Sequence, residues 1–276
     1  MSQRRILTLL SDFGLSDVYV GVMKGVIFAV NADLSLVDLT HQIPPQNIAV
    51  ARFALMTAFP YFAEGTVHVA VVDPGVGGTR RAIALAVGAD SANPAGFLVG
   101  PDNGLLSGVF CHYPVISAVE LTNQRYWRTP EPSRTFHGRD IFATVGAHLA
   151  SGVPLHALGQ AIAPETLIQL ELPALQVEAF DAITTRITGC IQASDHFGNL
   201  MTNIPASQVL NRNWVVVTNG ITIPASQTYS DRPSGELTAL IGSHGWVEVA
   251  INGGSARAKL NLEWGDQIQV FIAGDR

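Results

Sequence analysis

Strand-like and helix-like segments alternate along the first half of the chain. Ile6–Phe13 and Thr66–Asp73 are almost uninterrupted apolar runs, whereas Asp17–Val30, with Ser16 as a candidate N-cap, and Asn47–Phe62 carry apolar residues at helical spacing. Because strands without a polar face must be covered on both sides, this order predicts an α/β domain with a mostly parallel sheet between helices. Further strands are predicted at Leu34–Thr40, Ala82–Val87, Phe97–Val99 and Val115–Leu121, and a helix at Arg139–Ala150.

The pattern changes after about Gly159, where helical periodicity fades. Short β-branched runs take over, separated by Gly, Asn, Pro and Ser, and they predict a small all-β barrel or sandwich. The boundary is expected between Ala163 and Val177, which gives an α/β domain at residues 1–165 and an all-β domain at residues 175–276. The predicted strands are Ala182–Gln192, Trp214–Val217, Leu237–Ile241, Trp246–Ile251 and Ile268–Ile272.

Composition limits the partners that this chain can have. Of its 276 residues 47% are apolar and only 14% charged, which favours subunits that cover one another. The net charge of −6 and the lack of a basic cluster argue against nucleic acid. Two distant cysteines indicate a reducing compartment, and no apolar run approaches the ~18 residues of a membrane span. A cytoplasmic protein without a membrane segment is expected.

Five polar clusters lie at predicted loops. In parallel sheets ligands bind beyond the carboxyl ends of the strands, and three of the clusters follow predicted strands. Each cluster alone has a structural interpretation, since Asp, Gly and Pro also make caps and turns. Together they predict a site for a polar ligand without naming that ligand. The clusters are Ser11–Gly14, Asp73–Gly77, Gly100–Gly104, Thr135–Asp140 and Asp195–Asn199.

Two familiar kinds of phosphate site are excluded. The chain has neither G-x-x-x-x-G-K-[ST] nor a G-x-G-x-x-G after its first strand. Asp12 stands where a phosphate-binding turn would lie, and its carboxylate suits ribose hydroxyls or an ammonium group instead. No spacing of His, Cys and carboxylates indicates a metal site.

The five clusters, in this order, resemble the SAM hydroxide adenosyltransferase family, which is related to the enzymes that attack S-adenosyl-L-methionine (SAM) with fluoride or chloride. The resemblance covers essentially the whole chain. Its most specific pieces are SDFG-x-x-D-x-Y-V-G from Ser11, DPGVG from Asp73, GPDNG from Gly100, TFHGRD from Thr135 and DHFGN-x-x-T-N from Asp195.

The resemblance implies both fold and activity. It implies an α/β amino-terminal domain joined to a β-barrel carboxy-terminal domain, assembled as a homotrimer with SAM held between one subunit's first domain and its neighbour's second. It also implies hydrolysis of SAM to adenosine and L-methionine by an activated water, without a cofactor or a metal.

Residue roles follow from the same match. An Asp–Arg–His set that holds the water corresponds to Asp73, Arg80 and His137, with Arg81 as the adjacent rival for the arginine. Asp12 is expected to bridge the ribose hydroxyls. The remaining substrate-binding positions are Asp17 and Asp195 for the methionine ammonium, Phe197 and Asn199 for adenine, and Ser243, Glu248 and Ile251, which complete the pocket.

These residue types suit the reaction. The sulfonium of SAM leaves as a neutral thioether, so the chemistry needs a positioned nucleophile and no acid. Arg80 is a permanent cation that favours a developing hydroxide, and His137, with an ordinary pKa of about 6.5, can accept a proton near neutrality. Asp73 can orient that pair or the water. Which group takes the proton stays open at this stage.

Two alternative functions remain. A halogenase would need hydroxyl side chains around the anion, but the corresponding positions are Gly138 and Val76, and Asp73 would repel a halide. A SAM or adenosine sensor would have no use for His137 beside Arg80. Two departures from the halogenase pattern, His244 after Ser243 and Met201 at an aromatic position, affect the methionine and adenine ends.

Overall fold

The computed structural model describes residues 6–274 and consists of two compact units, the chain passing from the first to the second between Leu170 and Glu171. The domain limits inferred from the sequence, 1–165 and 175–276, stay a prediction. In the described part of the chain, no helix has the length and apolar character needed to cross a membrane.

The first unit is built on a seven-stranded sheet with the order β2-β1-β3-β5-β4-β6-β7. Three neighbouring pairs, β2-β1, β1-β3 and β3-β5, are parallel, and the other three are antiparallel. The α/β class is confirmed, with a sheet that is mixed. Its strands are β1 (Ile6–Ser11), β2 (Ser35–Thr40), β3 (Thr66–Val71), β4 (Ala82–Val87), β5 (Gly96–Pro101), β6 (Val115–Glu120) and β7 (Gln160–Ala161).

Helices cover both faces of this sheet, and each face has its own apolar core. One core includes Met23, Ile27 and Val145, and the other includes Leu55 and Phe59. The helices are α1 (Tyr19–Val30), α2 (Ile48–Ala58), α3 (Ser107–Phe110) and α4 (Ala143–Ala150), and a π-helical turn over Gly138–Phe142 leads directly into α4.

The helices α1 and α2 begin differently. Asn47 caps α2, because its side chain accepts a hydrogen bond from the Val50 amide at 3.0 Å. The prediction of Ser16 as the cap of α1 was wrong, since that helix begins at Tyr19 after Val18 and has no side-chain cap. A capping residue must lie immediately before the first turn, and Ser16 lies too early in the chain.

The second unit is an eight-stranded antiparallel sheet that nearly closes on itself. Its strand order is β12-β11-β15-β9-β10-β14-β13, with β8 beside β9, and a bridge between Ala225 and Ala239 brings the two ends together. The barrel expectation is confirmed. The elements are β8 (Gln176–Ala179), β9 (Thr184–Ser194), β10 (Leu200–Pro205), β11 (Asn213–Thr218), β12 (Ile221–Pro224), β13 (Leu237–Ile241), β14 (Trp246–Ile251), α5 (Ala256–Leu260) and β15 (Gln267–Ala273).

The parallel strands bring three of the polar clusters to one edge. Ser11 at the end of β1 pairs with Val71 at the end of β3, and β5 runs parallel to β3. The SDFG, DPGVG and GPDNG segments therefore leave the sheet at the same carboxyl edge, where ligands bind in such folds.

Candidate functional site

In the first unit, the guanidinium of Arg80 joins the carboxylate of Asp73 to the imidazole of His137. Arg80 donates from Nε to both carboxylate oxygens of Asp73, at 2.9 and 3.0 Å, and also from Nη2 to Oδ2. The same Nη2 lies 2.7 Å from Nδ1 of His137. The side chains of Asp73 and Arg80 are only 5% and 11% exposed. The predicted set of Asp73, Arg80 and His137 is thus brought together as a trio of contacting side chains.

The turn between β3 and β4 places Asp73 and Arg80 face to face. Asp73 lies two residues beyond β3 and Arg80 two residues before β4, and the intervening glycines let the chain fold back tightly. A Cβ on Gly75 would lie 3.3 Å from Cγ of Arg80. Gly77 has φ +73°, and a Cβ there would lie 2.2 Å from the carbonyl oxygen of Arg134, so only glycine permits this approach.

His137 is fixed by the segment that follows it. It immediately precedes the π-helical turn, and within that turn the fully buried Asp140 accepts hydrogen bonds from Arg128, Arg139 and the Ser133 amide. Burial opposes ionisation of Asp140, but the two arginines and the amide hold its pKa well below the usual range. An ionised Asp140 therefore ties the 128–140 segment together beside the imidazole.

The environment of His137 favours the neutral form of its imidazole. Burial lowers the pKa of His137 first and the positive charge of Arg80 lowers it further, while Asp73 and Asp140 oppose these effects in part. Arginine can only donate, so the contact at Nδ1 makes that atom an acceptor. The Arg80 guanidinium also lies 5.3 Å from the ring centre of the buried Phe142.

Arg81, the rival for the arginine role, points elsewhere. It bonds the buried Asp102 of the GPDNG segment at 2.8 Å and also Thr166. Asp102 in turn accepts from the Ile168 amide, and Asn103 donates to the carbonyl of Val72, next to Asp73. The GPDNG cluster therefore braces the fold around the site, and its structural interpretation accounts for these two side chains.

Two predicted binding residues of the first unit have few contacts. Oδ2 of Asp12 accepts from the Gln46 amide at 2.8 Å, and Asp17 is exposed. Close to these residues in the chain, Phe13 and Tyr19 form a cluster of aromatic rings with Phe136, with ring centres 5.2–5.8 Å apart. Asp12 keeps an oxygen for a ligand, whereas nothing in the structure tests the role of Asp17.

The barrel unit has a cleft that collects most of the predicted residues of that half. Its volume is about 580 Å³, and its lining includes Asp195, Phe197, Asn199 and Ile251. Sequence reasoning missed three further lining residues, Tyr229, Gly253 and Gly254. Phe197 is 73% exposed, so its side chain is accessible to a ligand.

Hydrogen bonds inside the barrel unit hold this cleft in shape. Asp195 accepts from the amides of Phe197 and Asn199 and from the side chain of Asn199, so its carboxylate organises the DHFGN turn. Glu248 is buried and does not line the cleft, but it accepts a hydrogen bond from the hydroxyl of Tyr229, which does. Burial and this carboxylate raise the pKa of Tyr229 to about 12.

Ser243, the other predicted residue, is exposed and also lies outside the cleft lining, next to His244, which contacts Glu248 at 3.1 Å. Over residues 6–274, no cluster of three or more His, Cys, Asp or Glu side chains has the arrangement of a metal site.

Comparison with known proteins places these features in a family. The sequence profile of the SAM hydroxide adenosyltransferase N-terminal domain matches residues 7–159, and that of the C-terminal domain matches residues 189–269. The chain belongs to this family. The two profiles cover the alternating α/β segment and most of the barrel, including every residue of the Asp73–Arg80–His137 set.

Curated relatives extend over nearly the full length of this chain. The (R)-S-adenosyl-L-methionine hydrolase of Salinispora tropica is 40% identical over 96% of this chain and 97% of the relative. The protein of the same name from Thermus thermophilus is 39% identical over 97% and 100%. A fluorinase from Nocardia brasiliensis is more distant, at 28% identity over 98% of both chains.

Solved structures share the fold. A conserved protein from Thermotoga maritima superposes with a TM-score of 0.86 at 34% identity, covering 96% of this chain and 99% of the other. A second, from Thermus thermophilus, has a TM-score of 0.76 at 38% identity, covering 97% and 99%.

The site residues that the sequence did not predict, such as Tyr229 and Phe142, lie outside the five motifs. Tyr229 begins a short turn closed by a capping box between Thr228 and Asp231. That T-x-x-D pattern is readable in the sequence, but its placement beside the DHFGN turn is a property of barrel closure. For Phe142, the sequence shows only an apolar residue, and nothing in it predicts the contact with the Arg80 guanidinium.

Proposed function

We propose that this protein hydrolyses SAM to adenosine and L-methionine, with (R)-SAM as the substrate form for which its curated relatives are named. The observation that carries the proposal is the Asp73–Arg80–His137 arrangement in a chain of this family. The carboxylate and the imidazole both contact Nη2 of Arg80, and a carboxylate, a cation and an imidazole this close together suit the binding of a water nucleophile. The matching relatives named hydrolases reach 40% identity and the fluorinases 28%.

The chemistry requires little from the protein beyond placement. A water oxygen attacks C5′ in line with the C5′–S bond, the bonding electron pair goes to sulfur, and methionine leaves as a neutral thioether. Holding the reactants in line can contribute roughly 7–11 kcal/mol in favourable intramolecular models. The low exposure of Asp73 and Arg80 supports this role, because bulk water is largely kept from them.

Each unit contributes part of the proposed substrate site. The trio and Asp12 belong to the α/β unit, whereas the cleft with Asp195, Phe197 and Asn199 belongs to the barrel unit and suits an adenosine. We propose a homotrimer in which these parts come from neighbouring subunits, without cofactor, metal or nucleic acid. We also propose a cytoplasmic location, which two unpaired cysteines, Cys111 and Cys190, support.

The decisive experiment is incubation of the purified protein with SAM, followed by chromatographic separation of the products. Adenosine and methionine in equal amounts are expected, with the (R) epimer consumed in preference to the (S) epimer. A parallel reaction in chloride or fluoride tests the halogenase alternative. A 5′-halogenated nucleoside would overturn the proposal, and so would tight SAM binding without turnover, which would indicate a sensor.

A further inference from the structure

A buried histidine lies beside the SDFG turn (Ser11–Gly14), outside the trio. Nδ1 of His41 is 2.7 Å from the hydroxyl oxygen of Ser11, and its Nε2 is 3.2 Å from Oδ1 of Asp38. The other oxygen of Asp38 accepts from Lys24 at 2.6 Å. Ser11 and His41 are 0% and 3% exposed. A continuous series of polar contacts therefore runs from the surface to the end of β1.

A shift in strand pairing brings His41 opposite Ser11. Leu9 and Leu10 are consecutive in β1, but their partners in β2 are two residues apart, and the partner of Leu10 is Thr40. The next residues along the two strands are Ser11 and His41. Without the extra residue in β2, Thr40 would lie opposite Ser11 instead. Such bulges re-aim side chains and are common next to functional sites.

Three contacts join the SDFG turn to the segment that follows β2. The side chain of His41 contacts Ser11, and its carbonyl accepts from the Gly14 amide at 2.7 Å. The Gln46 amide donates to Oδ2 of Asp12 at 2.8 Å. Oδ1 of Asp12 accepts no hydrogen bond from the part of the chain that the structure describes. His41 thus supplies two of the three contacts that orient the turn carrying Asp12.

The hydrogen bonds around His41 form a consistent series. The Phe13 amide donates to Oγ of Ser11 at 3.3 Å, which leaves the hydroxyl hydrogen of Ser11 for Nδ1 of His41. In the neutral ring the hydrogen then lies on Nε2 and faces Asp38. Burial opposes ionisation of Asp38, but Lys24 and His41 hold its pKa below the ordinary value. An anionic Asp38 therefore fixes the orientation of the imidazole.

We infer that His41 is a positioning residue, which holds the SDFG turn so that Oδ1 of Asp12 meets the ribose hydroxyls of the substrate. The inference rests on the proposed function, from which Asp12 takes its place at the ribose. His41 itself touches no reacting atom. Its loss should weaken recognition of the ribose and leave the adenine contacts of the barrel cleft intact.

Two substitutions at position 41 separate the two ring nitrogens. Asparagine places an amide oxygen near the position of Nδ1 and can accept from Ser11, whereas glutamine reaches the position of Nε2 and can contact only Asp38. Calorimetric titration with adenosine should show a loss of about tenfold for His41→Gln and for Ser11→Ala, and His41→Asn should stay within about threefold of the wild type. An asparagine variant as weak as the glutamine variant would overturn the inference.

The nucleoside 2′,3′-dideoxyadenosine separates positioning from a general loss of structure. The wild type should bind it about tenfold more weakly than adenosine, because Asp12 has no hydroxyls to meet, and His41→Gln and Ser11→Ala should bind it within about twofold of the wild type. Equal losses for both nucleosides would show a general structural role and overturn the inference. A wild type that binds both nucleosides equally would also overturn it, even if SAM turnover, measured separately, is confirmed.

Hydrogen–deuterium exchange tests the hold on the turn without a ligand. The amides of residues 12–16 should exchange about tenfold faster in Ser11→Ala than in the wild type. Thr8→Val is the matched control, because Thr8 is as buried as Ser11, lies on the same strand and bonds Nδ1 of the buried His68 at 2.8 Å. It should leave exchange in the turn and both nucleoside affinities unchanged. Unchanged exchange in Ser11→Ala would overturn the inference, whether or not the protein hydrolyses SAM.

Discussion

At the scale of single residues, adjacent positions have separate tasks. Arg80 and Arg81 are neighbours in the chain, yet one holds Asp73 and His137 while the other holds Asp102 and Thr166. Their side chains leave the backbone in different directions, because the chain enters the extended strand β4 at this point and successive side chains alternate. The same charge thus joins the proposed catalytic trio at one position and braces the fold at the next.

This division predicts opposite phenotypes for two alanine variants. Arg80→Ala should lower kcat by at least about 10²-fold, since the cation and its donors are lost. Arg81→Ala should keep kcat near the wild-type value but destabilise the protein by about 3 kcal/mol, because it leaves the buried Asp102 carboxylate unpaired. Steady-state kinetics well below the melting temperature, together with urea unfolding, measure both. Loss of turnover in Arg81→Ala alone would reverse the assignment.

The barrel cleft gives a second prediction at this scale. Asn199 lines the cleft and also bonds Asp195, so Asn199→Ala should weaken adenosine affinity by about tenfold, the equivalent of ~1.4 kcal/mol. Isothermal titration calorimetry with adenosine measures this change. Asn213→Ala, on an exposed part of β11, serves as the control and should bind as the wild type does. Unchanged affinity in Asn199→Ala would remove the cleft from the proposed site.

At the scale of elements, two loops depend on each other. The DPGVG turn after β3 carries Asp73, and the 128–140 segment carries His137. They pack closely where Gly77 faces the backbone carbonyl of Arg134. Asp140 then holds the second loop from within, through two arginines and an amide. The distance between the carboxylate and the imidazole is therefore set by the packing of backbone against backbone.

Gly77→Ala should separate these loops. The variant needs an unfavourable φ and also inserts a methyl group 2.2 Å from a carbonyl oxygen, so we expect a loss of about 3 kcal/mol in stability and a fall in kcat of at least tenfold. Gly65→Ala is the matched control, because Gly65 has a similar φ of +75° but nothing within 4 Å of the added Cβ. It should cost about 1 kcal/mol and keep kcat. Equal effects of the two variants on kcat would contradict a steric role for Gly77.

At the scale of the whole molecule, the central sheet buries a histidine that the site does not use. His68 lies on β3, 1% exposed, with Nδ1 2.8 Å from the hydroxyl of Thr8 and its ring against Phe59 and Phe62. Burial lowers the pKa of His68 to about 4 from an ordinary value of 6.5. Between pH 6.5 and about 4, the unfolded chain therefore binds a proton at His68 that the folded protein does not bind.

The stability of the protein should fall between pH 6.5 and about 4. In this window the unfolded state binds a proton at His68 and the folded state does not, so the free energy of unfolding decreases as the pH falls, by about 3 kcal/mol in total. Urea unfolding across this range, compared with His68→Gln, isolates the contribution. His156→Gln, an exposed histidine, should leave the pH dependence unchanged. A wild-type curve parallel to that of His68→Gln would contradict the prediction.

The sequence by itself determined the class of each half and the motifs of the site. Continuous apolar runs have no polar face and must be buried in a sheet, so the positions of β1 and β3 can be read directly from the order of residues. The turns after them are visible because Asp, Gly and Pro mark chain reversals. The antiparallel strands β4 and β6 within the same sheet carry the same apolar signal as parallel ones, which is why the mixed topology was not predicted.

Tertiary structure alone decided which arginine joins the trio, which carboxylates brace the fold, and which ring nitrogen of His137 faces Arg80. Those choices depend on the direction in which a side chain leaves the backbone and on neighbours from distant segments, such as Thr166 beside Arg81 or Tyr229 beside Glu248. Local sequence records which groups are available. Packing fixes the few ångströms that decide which of them form hydrogen bonds with one another.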